Sequence, residues 1–459
     1  MNIPHRLAAM LAALVLAGCA SVPALEPQAL PVAPAAFKQT QTSTTAATPQ
    51  AAWWLAFADA PLADLQQRAE RSNNNIRLAS ARLAQARAVL RGVEANRAPQ
   101  LGAGVGAARE ALPGARPATL LSVGANLSYE VDLAGRLAQA SSAAELDARQ
   151  QEALLREAQL LVQAELARSY FALRALDAEH ALVLSTVAAY RATLQLTERR
   201  FAAGDVPELD VARVRSELAA TESDALALQR QRSWVAHAIA VLVGESASTF
   251  SLPAAEWSAA LPQVPAGLPS SVLARRPDVA AAQSAWLAAQ ARVGVAQNAW
   301  WPSLTLTAAG GQASPELSDV FKWSARNWGV GALLSLPIFD GGRREAGVAS
   351  ARADLEAALA RYREQALVAF KDVEDELAAL HLLAEQAQAQ ARAVGSAERV
   401  TLLSESRYRN GLVSQLELLD ARRSELRNRR QALQVRAAQY QSTIGLIRAL
   451  GGGWGPMAG

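Results

Sequence analysis

The chain has 459 residues and nearly balanced charge, with 45 lysines and arginines against 42 aspartates and glutamates, and it contains one cysteine. A single cysteine excludes an internal disulfide, so the fold must be stabilised by packing. Because the arginines alternate with acidic residues along predicted helices, the pattern indicates solvated helix faces and argues against a nucleic-acid-binding surface.

The N-terminus has the pattern of a secretory signal. Arg6 precedes an apolar run over residues 7–17, which is too short to span a membrane. Together with the Gly18 and Cys19 that follow, this run resembles the bacterial lipobox, in which the cysteine is lipidated and becomes the new N-terminus. We therefore predict a lipid anchor on Cys19; the alternative is an ordinary signal peptide with an unrelated cysteine. The sequence after this signal contains no run of about 20 apolar residues, so we predict no membrane-spanning helix there.

The rest of the chain contains two copies of one unit. The stretch over 200–206, RFAAGDV, returns 207 residues later as RYRNGLV, and Gly135-Arg136 returns at the same offset as Gly342-Arg343. A repeat of this length indicates duplication of a whole unit. We predict a signal peptide over 1–18, an extended lipidated tether over 19–52, a first repeat over 53–244, a proline-rich link over 245–268, a second repeat over 269–451 and a tail over 452–459.

Both repeats are predicted to contain the same elements. These are a helical segment (62–96 and 269–298), a β-hairpin (100–133 and 302–339), a very long helix (135–203 and 342–410) and a return helix (207–243 and 414–450). The first long helix runs for roughly 70 residues without an internal proline or glycine, so it would reach about 100 Å. Apolar residues at seven-residue spacing over 162–201 indicate a coiled coil. His180 lies on this seam and is interpreted as a packed side chain.

The predicted hairpins alternate apolar residues with small or polar ones. Every odd position over 121–133 is apolar, a period of two that is typical of strands. Runs of about ten residues with one apolar face suit transmembrane strands, and a half-buried sheet of a soluble protein is the alternative. Four strands cannot close around a pore, and open sheet edges are not tolerated in lipid. The membrane interpretation therefore requires a barrel shared between copies.

Five short motifs follow one another along nearly the whole mature chain. They are Trp53-Trp54-x-x-Phe57-x-Asp59, Arg276-Pro277-Asp278, Pro337-Ile338-Phe339-Asp340-Gly341-Gly342-Arg343, Gly411-x-x-x-x-Leu416-Glu417-Leu418-Leu419-Asp420 and Leu450-Gly451-Gly452-Gly453-Trp454. Each motif is weak alone. In their order and spacing they resemble the outer-membrane efflux channel family, in its lipoprotein branch.

The resemblance implies a mainly α fold with a small β part, assembled as a homotrimer. Four strands per chain would contribute to a shared twelve-stranded transmembrane β-barrel, and the long antiparallel coiled-coil helices would form a periplasmic α-barrel. The channel would be a passive, gated conduit for small molecules, joined to a periplasmic adaptor protein and to an inner-membrane efflux transporter that supplies the energy. Ala20 and Ser21 are not acidic, which by the same resemblance indicates sorting to outer-membrane lipid.

The turns between the long helices and the return helices would then be the periplasmic tips. Gly204 and Gly411 occupy the position of a helix C-cap, which glycine favours. Pro207 suits the first turn of the helix that follows.

The resemblance also implies a gate at these tips. Asp210 and Tyr408 lie at linkage positions between helices, and Glu417 and Asp420 lie at the positions of an acidic ring, which would disfavour anions and bind cations. Alternatives exist for the ring residues. Ser414 and Glu417 have the spacing of a helix capping box, and Asp420 suits an ordinary charge on a helix surface.

Three other functions fit part of the sequence. A periplasmic lipoprotein adaptor or scaffold would explain the long helices and the anchor, but not two matched hairpins. A protein-secretion duct of the same fold is disfavoured only by the resemblance. An enzyme is disfavoured because the four histidines are scattered and no metal-binding or phosphate-binding motif occurs, so we predict no catalytic activity, cofactor or metal site.

Overall fold

The computed structural model describes residues 33–38, 50–111, 117–265, 267 and 269–452. The predicted signal peptide, Cys19, most of the tether and nearly all of the C-terminal tail lie outside these residues. Among the helices that are described, none has both the length and the apolar character needed to cross a membrane.

Helices dominate the described residues, and the mainly α fold class is confirmed. The first repeat contributes α1 (Ala60–Ser72), α2 (Asn74–Ala95), α3 (Arg136–Ala202) and α4 (Glu208–Leu242); the second contributes α5 (Pro269–Arg275), α6 (Pro277–Asn298), α7 (Arg343–Arg409) and α8 (Gln415–Ala449). The long helices α3 and α7 have 67 residues each, and the return helices α4 and α8 have 35 each. Matching lengths in the two halves are expected of a duplicated unit.

Each helical segment that precedes a hairpin consists of two helices, where the sequence predicted one stretch. In the first repeat Asn73 interrupts the helix. Its side-chain oxygen accepts the N–H groups of Asn75 (2.8 Å) and Ile76 (3.2 Å), and its amide nitrogen donates to the carbonyl of Leu242 (2.8 Å). In the second repeat α6 begins at Pro277, whose ring excludes the preceding residue from a continuous helix.

The two tip turns have the same backbone geometry. Gly204 lies at φ +81° and Gly411 at φ +71°. In each turn the glycine N–H donates to the carbonyl three residues earlier, and the next N–H donates to the carbonyl five residues earlier, at 2.9–3.0 Å. This is a Schellman cap, which satisfies the last carbonyls of a helix. Pro207 is not in the first turn of α4 but directly before it, in an extended conformation.

Four strands form one antiparallel sheet in the order β1 (Gln100–Glu110), β2 (Ala118–Val131), β3 (Ser303–Ser314) and β4 (Arg326–Ser335). The four predicted strands are therefore present, and β2 and β3 join the hairpins of the two repeats. Leu336 and Ile338 extend the predicted alternation but lie beyond the end of β4. The strand ends that connect to the helices all lie at one end of this sheet.

The β2–β3 pairing depends on close backbone approach. A Cβ atom built on Gly311 would lie 2.5 Å from the carbonyl oxygen of Val123 and 2.8 Å from the Cα of Gly124. A side chain at Gly311 would therefore push the two repeats apart at their junction. This explains why glycines stand opposite each other at this register position.

The chain divides into two compact units, and each draws on both repeats. The sheet unit contains Ala81–Leu154 and Ala280–Gln365, and the ring of Trp286 stacks on Tyr362 within it. The helical unit contains the described residues of Val32–Ser80, Leu155–Val279 and Ala366–Gly459.

The predicted seam of α3 packs in the core of the helical unit. Val183 packs with Ala225 and Leu228 of α4, and Tyr190 packs with Val214 of α4 and Leu419 of α8; these clusters also contact Leu176, Leu194, Leu218 and Leu426. The return helices of both repeats thus pack on the same long helix. His180 is half-buried, as are Leu176 and Leu194 of the same seam. Phe201 is 45% exposed because it lies in the last turn of α3.

The tip glycines provide a test of backbone strain. Gly411→Ala should lower the free energy of unfolding by about 1 kcal/mol, because an alanine at positive φ is strained although no atom lies within 4 Å of the new methyl group. Gly395→Ala, inside α7 with equally open surroundings, should instead raise it by about 0.5 to 1 kcal/mol. Thermal unfolding of the two variants measures both effects, and equal shifts of the same sign would contradict this account.

Candidate functional site

The predicted gate residues all lie in the helical unit, near the two tip turns. From here on, a hairpin means a pair of helices joined by a tip turn: α3 and α4 form the first hairpin, and α7 and α8 form the second hairpin. Gly204 turns the first hairpin and Gly411 turns the second, through the Schellman caps described above. Contacts near these turns join the ends of the long helices, so they hold the two hairpins against each other.

Tyr408 and Asp210, predicted as linkage residues, are not hydrogen-bonded to each other within one chain. Tyr408 is 4% exposed, and its hydroxyl has no hydrogen-bond partner in the part of the chain that the structure describes. The guanidinium of Arg200 lies 5.1 Å from its ring centroid, so a cation–π contact ties the end of α7 to the end of α3. Asp210 is half-buried and pairs with Arg213, one turn along α4, at 3.5 Å.

The predicted ring residues Glu417 and Asp420 are both exposed on α8. The backbone N–H of Glu417 donates to the hydroxyl of Ser414 at 3.3 Å, so Ser414 caps α8 and forms the serine half of the predicted capping box. Asp420 pairs with Arg423 at 3.2 Å, and Arg423 also pairs with Glu217 on α4. One of the two acidic residues is thus partly neutralised within its own chain.

Arg422 is an additional residue that joins helices at the tip, and the sequence analysis missed it. Its guanidinium donates to Glu405 on α7 at 2.8 Å, to the carbonyl of Ala189 at 3.1 Å and to the hydroxyl of Thr193, both on α3. The side chain is only 14% exposed. Arg422 therefore connects α8 to its own long helix and to the long helix of the first hairpin.

Arg430 makes a similar connection two turns further along α8. It pairs with Glu179 on α3 at 2.7 Å and with Asp224 on α4 at 3.0 Å. Arg423 and Arg430 are seven residues apart, as are their α4 partners Glu217 and Asp224. This heptad spacing of opposite charges on two return helices was readable in the sequence and would have predicted their pairing.

Ion pairs within each hairpin occur at repeat-equivalent positions. Arg215–Glu198 (2.9 Å) in the first hairpin corresponds to Arg422–Glu405 in the second. Arg191–Glu222 (2.6 Å) in the first corresponds to Glu398–Arg429 (2.8 Å) in the second, with the two charges exchanged between the long helix and the return helix. The positions of both contacts are thus the same in the two repeats, and the charges are kept in one pair and exchanged in the other.

The charges near the tip shift the pKa of one carboxyl group, that of Glu217. The hydrogen bond from Arg423 lowers the pKa of Glu217, against a smaller opposing effect of burial. The carboxylate of Glu217 therefore stays ionised under more acidic conditions than an ordinary glutamate. The arrangement as a whole is one of helices held together by buried rings and guanidinium–carboxylate pairs, which suits a mechanical closure.

Known proteins resemble this chain over nearly its whole length. A family profile described as "Outer membrane efflux protein" matches residues 65–245 and 268–452. The cation efflux system protein CusC of Escherichia coli O6:H1 is 32% identical over 460 residues, covering 98% of this chain and 99% of the relative. The toluene efflux pump outer membrane protein TtgC of Pseudomonas putida is 31% identical over 459 residues, covering 96% and 94%. The solved structure of the outer-membrane channel OprN has 29% identity and a TM-score of 0.87, covering 95% of this chain and 100% of the other.

The contribution of Arg422 can be separated from that of an exposed pair. Arg422→Met should destabilise the tip by about 2 kcal/mol, because it leaves the half-buried Glu405 with only the longer pair to Arg409 (3.6 Å) and removes both bonds to α3. Arg215→Met, at the repeat-equivalent position with a side chain that is 65% exposed, should cost less than about 0.5 kcal/mol. Hydrogen exchange of the last turns of α7 measures the difference, and equal exchange in the two variants would refute the assigned role.

The lowered pKa of Glu217 predicts a dependence on acid. A group with a lower pKa in the folded state contributes stability above its unfolded pKa and loses it as the pH falls through the folded value. Glu217→Gln should therefore show a smaller loss of thermal stability on acidification than the unchanged chain. Arg423→Gln should behave in the same way because it removes the donor. If both variants lose as much thermal stability on acidification as the unchanged chain, the pair between Glu217 and Arg423 does not contribute to the dependence on acid.

Proposed function

The chain belongs to the outer membrane efflux protein family, and from this membership and its geometry we propose that it is the outer-membrane channel of a tripartite efflux pump. It is an outer-membrane protein that extends into the periplasm, and it conducts small molecules passively. The observation that carries the proposal is a four-stranded sheet with two open edges, connected at one end to very long helical hairpins.

The open edges support a shared barrel. In the described sheet β1 and β4 each pair on one side only, so each offers a row of unpaired backbone groups. In lipid these groups must be paired, and only a closed barrel pairs them all. Three copies would supply twelve strands, with β4 of one copy beside β1 of the next. Apolar side chains that are exposed in one chain, such as Val105, Trp328 and Val330, would then face lipid.

The long hairpins would line a periplasmic duct. A helix of 67 residues reaches about 100 Å, a length suited to crossing the space between two membranes. A periplasmic adaptor and an inner-membrane transporter would complete the pump, and the transporter would supply the energy. Relatives of this chain carry names for cation efflux and for toluene efflux, which supports selection of the cargo outside the channel.

The tips would form the periplasmic gate. The hydroxyl of Tyr408 is buried without a partner in the described chain, so it is available to a group that arrives when copies assemble or when the hairpins move. Asp210 lies near the turn of the first hairpin and would serve the same closure. Glu417 and Asp420 project from α8 as exposed carboxylates, and three copies would place six of them at the mouth.

Cys19 would carry the lipid that anchors the N-terminus in the outer membrane. The segment that follows it reaches the helical unit at residues 33–38, where the backbone N–H of Lys38 donates to Glu374 on α7 at 3.0 Å. The anchor would hold each copy at the membrane in addition to the strands.

The assembly is tested by its mass and location. Detergent extraction of the outer-membrane fraction should yield a trimer by native mass spectrometry. Cys19→Ala should lose the lipid mass and should still form trimers, because the barrel does not need the anchor. A monomer in the periplasm or the inner membrane would overturn the channel proposal and favour a tethered adaptor.

The acidic mouth is tested by conductance. A trivalent lanthanide ion should block the channel in planar bilayers at low concentration, and Asp420→Asn with Glu417→Gln should weaken the block at least tenfold. Glu94→Gln, an exposed change on α2, serves as the control and should leave the block unchanged. Equal block of all three proteins would remove these residues from the mouth.

A further inference from the structure

The two hairpins of one chain meet through a set of opposite charges. The first hairpin supplies Glu179 from α3 and Glu217 and Asp224 from α4, and α8 supplies Arg423 and Arg430. The successive pairs are spaced by seven residues on both helices, so α4 and α8 run parallel and side by side here. We call these five residues the intrachain charge contact.

The duplication provides an uncharged counterpart of this contact. At the repeat offset, Arg423 and Arg430 correspond to Ser216 and Ser223 on α4. The acids correspond to uncharged residues of the second hairpin: Gln386 on α7, and Ser424 and Gln431 on α8. Every charge of the intrachain charge contact is therefore absent from the equivalent positions.

The uncharged residues lie on surfaces that one chain leaves accessible. Ser216 and Ser223 are exposed on α4, Gln386 and Gln431 are exposed on the second hairpin, and Ser424 is half-buried. Both hairpins have the same pairing of long and return helix. The face of α4 can therefore dock on the second hairpin of another copy in the way that α8 docks on the first hairpin within the chain.

We infer that these two faces meet between copies of this chain, and that the contact between copies lacks the ion pairs that hold the hairpins of one chain together. The inference rests on the proposed trimer. In a ring of three chains the six hairpins alternate, so contacts within chains that hold the intrachain charge contact alternate with contacts between chains that lack its five charges. The mouth then opens along the contacts between chains, because separation there leaves the guanidinium–carboxylate pairs of the intrachain charge contact intact.

The charge difference also protects the assembly from mispairing. An α4 face with Ser216 and Ser223 cannot replace the arginine face of α8 against Glu217 and Asp224 without leaving these acids unpaired. The intrachain contact is therefore specific for α8, and the neighbouring copy is directed to the other face.

The placement of the two contacts is tested by crosslinking. The chain has no cysteine other than Cys19, so introduced pairs can be read cleanly with a short bifunctional thiol reagent. Ser216→Cys with Ser424→Cys should give covalent dimers and trimers on a denaturing gel. Glu217→Cys with Arg423→Cys should crosslink at the mass of a single chain. The unchanged chain controls for reaction at Cys19.

The result separates two failures. If native mass shows no trimer, the proposed function fails. If trimers form but the Ser216 and Ser424 cysteines do not link different chains, the proposed function stands and this inference is wrong.

The opening is tested by transplanting charge. Ser216→Arg with Ser424→Glu recreates between copies the pair formed by Arg423 and Glu217, and it should lower the open probability in bilayers at least fivefold at low salt. At about 1 M salt, where charges are screened beyond about 3 Å, most of that loss should recover. The two single variants should have little effect. An unchanged open probability in the double variant would show that the mouth does not open along this contact.

Discussion

A sheet of four strands leaves two edges of unpaired backbone groups, and this requirement for pairing governs the rest of the structure. The edges are β1 and β4, and the chain offers no further strand among the described residues to cover them. In the proposed trimer, pairing between copies would close the sheet and thereby bring three sets of helical hairpins together. That assembly accounts for three features of the chain: the length of the helices, the repeat and the charge pattern at the tips.

The duplication makes assembly of a ring possible, and it also makes incorrect pairing of the hairpins possible. Two similar hairpins per chain allow three chains to build a ring from six nearly equivalent parts. Nearly equivalent parts can also pair wrongly. The chain distinguishes them by charge, through Arg423 and Arg430 on one return helix and serines at the equivalent positions of the other, and through the exchanged charges of Arg191–Glu222 and Glu398–Arg429. Such pairs contribute little to stability at a surface, but they discriminate between partners.

Local structure followed closely from local sequence. The bounds of α3, α4, α7 and α8 agree with the predicted ones within one or two residues, because glycines at the tip turns end the long helices and the return helices begin directly after these turns. The period of two predicted all four strands. The prediction was less accurate where a distant group decides: Asn73 breaks a helix by bonding to Leu242, 169 residues away, and β4 ends before Leu336 although the alternation continues.

The sequence by itself determined the type, order and length of the elements, the duplication and the family, since each depends on residues close together in the chain or on motifs in order. Only the tertiary structure decided which side chains meet. It placed Arg422 on α3 through Thr193, paired Asp420 with Arg423, and left the hydroxyl of Tyr408 buried without a partner among the described residues. A guanidinium can reach any of several carboxylates, and the choice depends on how helices that are far apart in sequence pack against one another.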